Sequence, residues 1–268
     1  MRVGTECSRR GMLGLAAVVA ARLGAAPWAR SANAEPASTD AHRPVLRVPA
    51  STANGARVPI VVDVPHPMEP DHHIAVLEVV NPRDPVPVKG TFRFSPANGR
   101  AWIAFQARLD DGPSAVVARA DCGRHGRSIG TATVTVEPGA GGCAGGPPTA
   151  LAADEIHPPV IRIPQLVADG AIAAGTLIDV QVKTKHPNRT GLSLQDGHWV
   201  QTAMPFHLAE MDVFYGGERV SRFVLGAALS DNALITFKLR AARQAPVRVT
   251  LANTKGERFE ATHDIRFA

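Results

Sequence analysis

The sequence predicts an all-β protein of two immunoglobulin-like β-sandwich domains joined by a Gly-rich arm. Three observations point there. Apolar residues alternate with period two in Leu77–Val79, Phe92–Phe94, Trp102–Ala104, Val134–Val136, Val180–Val182, Val213–Tyr215, Phe223–Leu225, Phe237–Leu239 and Val247–Val249, which places one face of each run in a core and leaves the other wet. Hairpin chemistry separates the runs at Asn98-Gly99, Asp110-Asp111-Gly112, Tyr215-Gly216-Gly217-Glu218 and Lys255-Gly256. An internal repeat at a constant offset of 115 relates His42-Arg43-Pro44-Val45-Leu46-Arg47-Val48-Pro49 to His157-Pro158-Pro159-Val160-Ile161-Arg162-Ile163-Pro164. Each copy continues through a glycine turn into an alternating strand, 58–64 or 176–184, that ends at a His-Pro pair. Two copies of one opening hairpin read as duplication of one fold.

The segments follow in order. Residues 1–34 read as a twin-arginine signal peptide: Ser8-Arg9-Arg10-Gly11-Met12-Leu13, an apolar stretch too short to span a bilayer, and Ala32-Asn33-Ala34 before a mature start at Glu35. That route exports folded chains, so the expected location is the periplasm. Residues 35–137 are the first β-sandwich, 138–153 a Gly/Pro-rich arm, and 154–268 the second β-sandwich. The leader carries five arginines and one acid, so the mature chain keeps 24 basic and 23 acidic residues. A net charge near +1 with no basic run gives no surface for nucleic acid.

The arm centres on Gly139-Ala140-Gly141-Gly142-Cys143-Ala144-Gly145-Gly146-Pro147-Pro148. Glycine carries no Cβ and populates both signs of φ, so the run is expected to be mobile and its thiol exposed. Cys143 is then a place to attach cargo, with Gly141, Gly142, Ala144, Gly145 and Gly146 as flexible flanks. The plain alternative is a Gly/Pro linker with an incidental cysteine. Cys122 sits in Ala120-Asp121-Cys122-Gly123-Arg124, the tip of a hairpin. A strand of about nine residues leads away for roughly 30 Å, and the seven residues from Val136 return at most about 23 Å. With that hairpin a Cys122–Cys143 disulfide is strained or impossible, and Cys122 either dimerises the protein or, the favoured reading, is incidental.

The remaining candidates are weaker. His66, His72 and His73 lie near Glu69 and Asp71, but their spacing matches no known metal site, and the plain reading is a polar loop. His186 and His207 are expected to fix strand ends or partner contacts, and His198 to sit in a polar turn. Ser95, His125 and Asp121 have the types of a triad without a nucleophile elbow. No metal and no catalytic residue is assigned. Trp199, Phe206, Phe214 and Phe223 either fill the second domain's own core or make a sheet-to-sheet contact between domains.

The strand end before Gly141-Gly142-Cys143-Ala144-Gly145-Gly146 resembles the C-terminal arm of SoxY, the sulfur-carrying subunit of the bacterial sulfur-oxidation system. Lys183-Thr184-Lys185-His186-Pro187, Pro205-Phe206-His207-Leu208, Phe214-Tyr215-Gly216-Gly217 and the Gly226…Ser230-Asp231-Asn232 stretch resemble SoxZ, its partner. The chain is thus similar to a fused SoxY–SoxZ protein. The resemblance implies a carrier rather than an enzyme, holding sulfur intermediates such as thiosulfate-derived groups on Cys143. It implies partners as well: a haem-containing transferase that loads the thiol and a hydrolase that releases sulfate. No cofactor is expected beyond the sulfur adduct on Cys143. The chain departs from the pattern in two ways. Its arm is tethered at both ends, and Asn188-Arg189 stands where SoxZ proteins carry Met-Glu. SoxYZ-like fusions are also associated with quinoprotein dehydrogenases, so a non-covalent adaptor for such a dehydrogenase is the alternative.

Overall fold

The computed structural model describes residues 39–144 and 156–268. The leader, Gly145, Gly146 and the rest of the arm lie outside the described residues. After a short helix α1 (Thr39–His42), the first half contributes β1 (Val45–Arg47), β2 (Ser51–Thr52), β3 (Val58–Val64), β4 (Ile74–Val80), β5 (Val88–Phe94), β6 (Ala101–Ala107), β7 (Gly112–Cys122) and β8 (Gly126–Val136). The second half contributes β9 (His157–Arg162), helix α2 (Pro164–Asp169), β10 (Leu177–Lys185), β11 (Leu192–Gln195), β12 (His198–Gln201), β13 (Leu208–Tyr215), β14 (Glu218–Leu225), β15 (Leu234–Arg240), β16 (Pro246–Asn253) and β17 (Arg258–Asp264).

Every alternating run named from the sequence lies in a strand. In β3 the alternate residues Val58, Ile60, Val62 and Val64 are buried; in β6 they are Ala101, Ile103, Phe105 and Ala107. The predicted turns hold as well. Gly216 and Gly217 take φ of 58° and 90° between β13 and β14, values that disfavour residues with a Cβ. Asp196 and Gly197, at 49° and 79°, close the small β11–β12 hairpin, which places His198 at the start of a strand instead of in a turn.

The two halves share both sheets. One has the order β1-β3-β6-β15-β10-β9 and the other β17-β16-β13-β14-β5-β4-β7-β8-β2. The repeat equates β1 with β9 and β3 with β10, so β6 and β15 are equivalent strands that meet at the centre. The same holds for β5 and β14. Duplication is therefore expressed as a two-fold-like edge-to-edge union. Five residue pairs, from Ser221↔Phe94 to Leu225↔Gly90, join one sheet, and Thr236↔Ala104 with Phe237↔Ile103 joins the other.

This replaces both sequence-based readings of the aromatic residues. Phe223 packs at ring-centre distances of 5.3, 5.6 and 5.5 Å from Phe92, Phe94 and Phe237, inside one core shared by both halves. Pairing along strand edges satisfies exposed backbone donors and acceptors, which face-to-face stacking does not. Trp199, Phe206 and Phe214 stay at half-buried surface positions. Among the described residues, no helix is long and apolar enough to cross a membrane.

Candidate functional site: a sheltered thiol between the two halves

The chain leaves β8 at Val136 and crosses the end of the first half. Gly139 N–H donates to Asp111 Oδ2 (2.8 Å), Gly55 N–H to the Ala140 carbonyl (2.8 Å), and Gly142 N–H to the Leu109 carbonyl (2.8 Å). Residues 139–142 are thereby laced to the 108–111 connection and to the short 3-10 turn Gly55–Arg57. Gly142 lies against the backbone of Gly55 and Ala56, where an added Cβ would collide with main-chain atoms. Close approach, not mobility, is what this glycine provides.

Cys143 follows directly and is fully buried (0 % exposed). The sequence predicted an exposed, mobile thiol; the structure shelters it, because its neighbours bind main chain to main chain. The second half closes the niche. Thr190 Oγ1 donates to the Cys143 carbonyl (2.8 Å), and Gln201 Nε2 to the Thr190 carbonyl (3.2 Å). From the same β11–β12 hairpin, Trp199 Nε1 donates to Asp110 Oδ2 (3.3 Å).

Arg108 ties the three parts together. Its buried guanidinium donates to the carbonyls of Gly142 (3.1 Å) and Asn188 (3.1 Å) and pairs with Asp231 Oδ2 at 2.8 Å. Asn188, flagged by the sequence only as a departure from the family pattern, is a buried node. It donates to the Ser230 carbonyl (2.7 Å) and accepts from Leu208 N–H (2.8 Å). His186 sits behind it, within 3.2 Å of Asn188 Oδ1 and of Asn253 Nδ2. Burial holds the His186 imidazole below its usual range. As predicted, His186 fixes a strand end, and through Asn188 it reaches the arm. His207 does similar work, with Nδ1 2.8 Å from the Leu208 carbonyl.

Burial, reinforced by Asp84 and Asp110 and opposed by Lys89 and Arg108, pushes the Cys143 thiol up from 9.0 to about 12. The thiolate is the reactive form, so at neutral pH the sheltered sulfur is far less ionised than an ordinary cysteine. Asp84 and Lys89 form a buried pair at 2.5 Å, and Asp84 Oδ1 also accepts the Asp110 N–H (3.0 Å).

Cys122 and Cys143 are both free thiols. They belong to opposite ends of the first half: Cys122 ends β7, whereas the arm is bonded to residues just before β7 begins. The suggested triad does not form. Ser95 N–H donates to Asn98 Oδ1 (3.0 Å) while its buried Oγ has no hydrogen-bond partner among the described residues, and Asp121 is paired with Arg127 at 2.7 Å. The histidine loop is more organised than its sequence indicated. His66 and His72 converge with His42, His125 and Cys122, while His73 turns to the Glu69 carbonyl (3.2 Å) and Asp71 pairs with Arg124.

Comparison with known proteins gives two family matches. The profile of sulfur oxidation protein SoxY matches residues 30–143, ending at Cys143 itself, and that of sulphur oxidation protein SoxZ matches residues 168–264. No curated protein sequence matches the chain. Among solved structures, a superoxide reductase (neelaredoxin) from Ignicoccus hospitalis is 25% identical with a TM-score of 0.33, covering 36% of this chain and 81% of that one. A β-glucuronidase from Parabacteroides merdae is 9% identical with a TM-score of 0.23, covering 83% of this chain and 24% of that one.

Proposed function

Because this chain belongs to the SoxY family in its first half and the SoxZ family in its second, and so to the proteins of sulfur oxidation, we propose that it is a periplasmic carrier holding sulfur intermediates covalently on Cys143. One observation carries the reading: a free cysteine at the end of the SoxY match, kept fully buried by groups from both halves. A carrier gains from such a rest state. A bare thiol in an oxidising compartment is open to unwanted disulfide exchange, and a sheltered, protonated one is slow to react.

Loading then requires the arm to leave its niche. Once outside, the sulfur regains an ordinary acidity, and its small thiolate fraction is the nucleophile. Its thiolate forms an S–S bond to the terminal sulfur of thiosulfate, and two electrons pass to a haem-containing partner. Water then attacks the terminal sulfone, releasing sulfate and leaving a persulfide on Cys143. The loaded arm carries negative charge on an added group, which the buried niche does not suit, so cargo keeps the arm outward for the next enzyme. The twin-arginine motif supports the periplasmic setting.

The test is intact-mass analysis of the protein isolated from its native periplasm during growth on reduced sulfur. A reductant-labile mass gain confined to the peptide holding Cys143 is expected, with loss of sulfur turnover in Cys143→Ser. A clean thiol together with unchanged turnover in Cys143→Ser would overturn the carrier reading in favour of a non-covalent adaptor for a dehydrogenase.

A further inference from the structure

Four imidazoles and one thiol point at a common centre at the end of the first half remote from the arm. His42 ends α1; His66 follows β3; His72 precedes β4; Cys122 ends β7; and His125 lies in the turn to β8. One ligand atom from each lies within 4.8 Å of all the others. Along β7, ten steps at about 3.3 Å put roughly 33 Å between the start of that strand, beside the arm, and Cys122.

The distances have a pattern. His42 Nε2 is 2.9 Å from His125 Nδ1, which is 3.0 Å from His72 Nε2, which is 3.0 Å from His66 Nε2. Two nitrogens bound at right angles to an ion, each at about 2.0–2.1 Å, stand about 2.9 Å apart; at the tetrahedral angle they stand about 3.3–3.4 Å apart. The three observed separations match the right-angle spacing and fall short of the tetrahedral one. Cys122 Sγ lies farther off, 3.6 Å from His125 Nδ1 and 4.0 Å from His66 Nε2; a sulfur bound at about 2.3 Å and at right angles to the nitrogens would stand about 3.1 Å from them, so it draws in by several tenths of an ångström to bind.

Proton counting leads the same way. His66 Nδ1 faces the Pro67 carbonyl, which only accepts, so the ring's proton is on Nδ1 and the Nε2 lone pair faces the cluster. That is the second-shell arrangement that orients a metal-ligating imidazole. His125 Nδ1 faces two ring nitrogens and a sulfur at once, and a single proton satisfies only one of them. His42 and His66 are 4 % and 2 % exposed, so water does not serve their ring nitrogens, and only the His125 flank is open to solvent. The Glu69–His72 bridge, with N–H···O distances of 3.0 and 3.2 Å, clamps the loop that presents His72.

We propose that His42, His66, His72, His125 and Cys122 hold a single divalent, redox-capable first-row transition ion, iron or copper, in a square-based five-ligand site. Nitrogen and sulfur donors exclude magnesium and calcium, and five donors whose ring nitrogens stand at right-angle spacings do not suit tetrahedral zinc. The exposed flank, bounded by His72 and His125, leaves the sixth position open to a small exogenous ligand. Cys122 is thus a metal thiolate and Cys143 a separate thiol, so this site does not depend on the carrier reading.

The test uses the full mature chain, stripped with chelator and titrated with Co²⁺ under anaerobic conditions. One equivalent should bind, with a thiolate-to-cobalt charge-transfer band and the weak d–d absorption of a five-coordinate ion. Cys122→Ser should abolish the band and Cys143→Ser keep it. His66→Ala should weaken binding by at least about tenfold, while His73→Ala leaves it unchanged. His72→Gln, at a half-buried position, repeats the test should a core variant fail to fold. Iron or copper in protein isolated from its native source supports the site. Sub-stoichiometric binding, a band that survives Cys122→Ser, or intense tetrahedral d–d absorption would overturn it.

Discussion

Gly142 and Cys143 show how one residue sets the reactivity of its neighbour. An alanine at 142 would drive its methyl into the backbone of Gly55 and Ala56, so the arm must lift and the thiol is uncovered. Gly142→Ala should therefore raise the alkylation rate of Cys143 at pH 8 by at least about tenfold, read by peptide mass spectrometry to separate it from Cys122. The pH dependence has a definite sign. Packing favours the protonated thiol, so the arm's hold is complete below the ordinary value of 9.0 and fades as pH rises toward about 12. The wild-type alkylation rate should keep climbing past pH 9, whereas that of Gly142→Ala should level off near it. A wild-type plateau near 9 would show that the thiol is not sheltered in solution.

At the scale of elements, the β11–β12 hairpin and the 186–190 segment are what the second half brings to the arm. Trp199→Ala removes the hydrogen bond to Asp110 and part of the cover over the arm. It should speed alkylation of Cys143 several-fold while leaving the melting temperature within a few degrees, since Trp199 is only half-buried. Arg108→Met leaves the carbonyls of Gly142 and Asn188 without their donor, at a cost of about 1–3 kcal/mol, and should uncover the thiol as well. Strands were legible where one face is apolar, as in β3, β4 and β6. β7 is alanine-rich, and β17 is a polar edge strand with no fully buried residue, so neither carries a strong period-two signal. The hairpin was missed as strands because its faces are mostly exposed, although its Asp196-Gly197 turn was visible.

At the scale of the molecule, two sheets and one core run across the fusion. Phe223 touches aromatic rings from both halves, so Phe223→Ala should cost about 3–5 kcal/mol. Hydrogen exchange should show strands β4–β6 and β13–β15 losing protection together. Calorimetry should find one unfolding transition; two separated transitions would mean the halves fold independently. For the same reason, cutting the chain between 145 and 155 should leave the halves co-purifying. Alternation, turn residues and the repeat at offset 115 determined the strands and the duplication from the linear order alone, and the glycine run singled out Cys143, because each is encoded within a few adjacent positions. Tertiary structure decided the edge-to-edge union, the burial of Cys143 and the gathering of His42, His66, His72, Cys122 and His125. Each of these depends on groups tens of residues apart, brought together only when both sheets close around a common core.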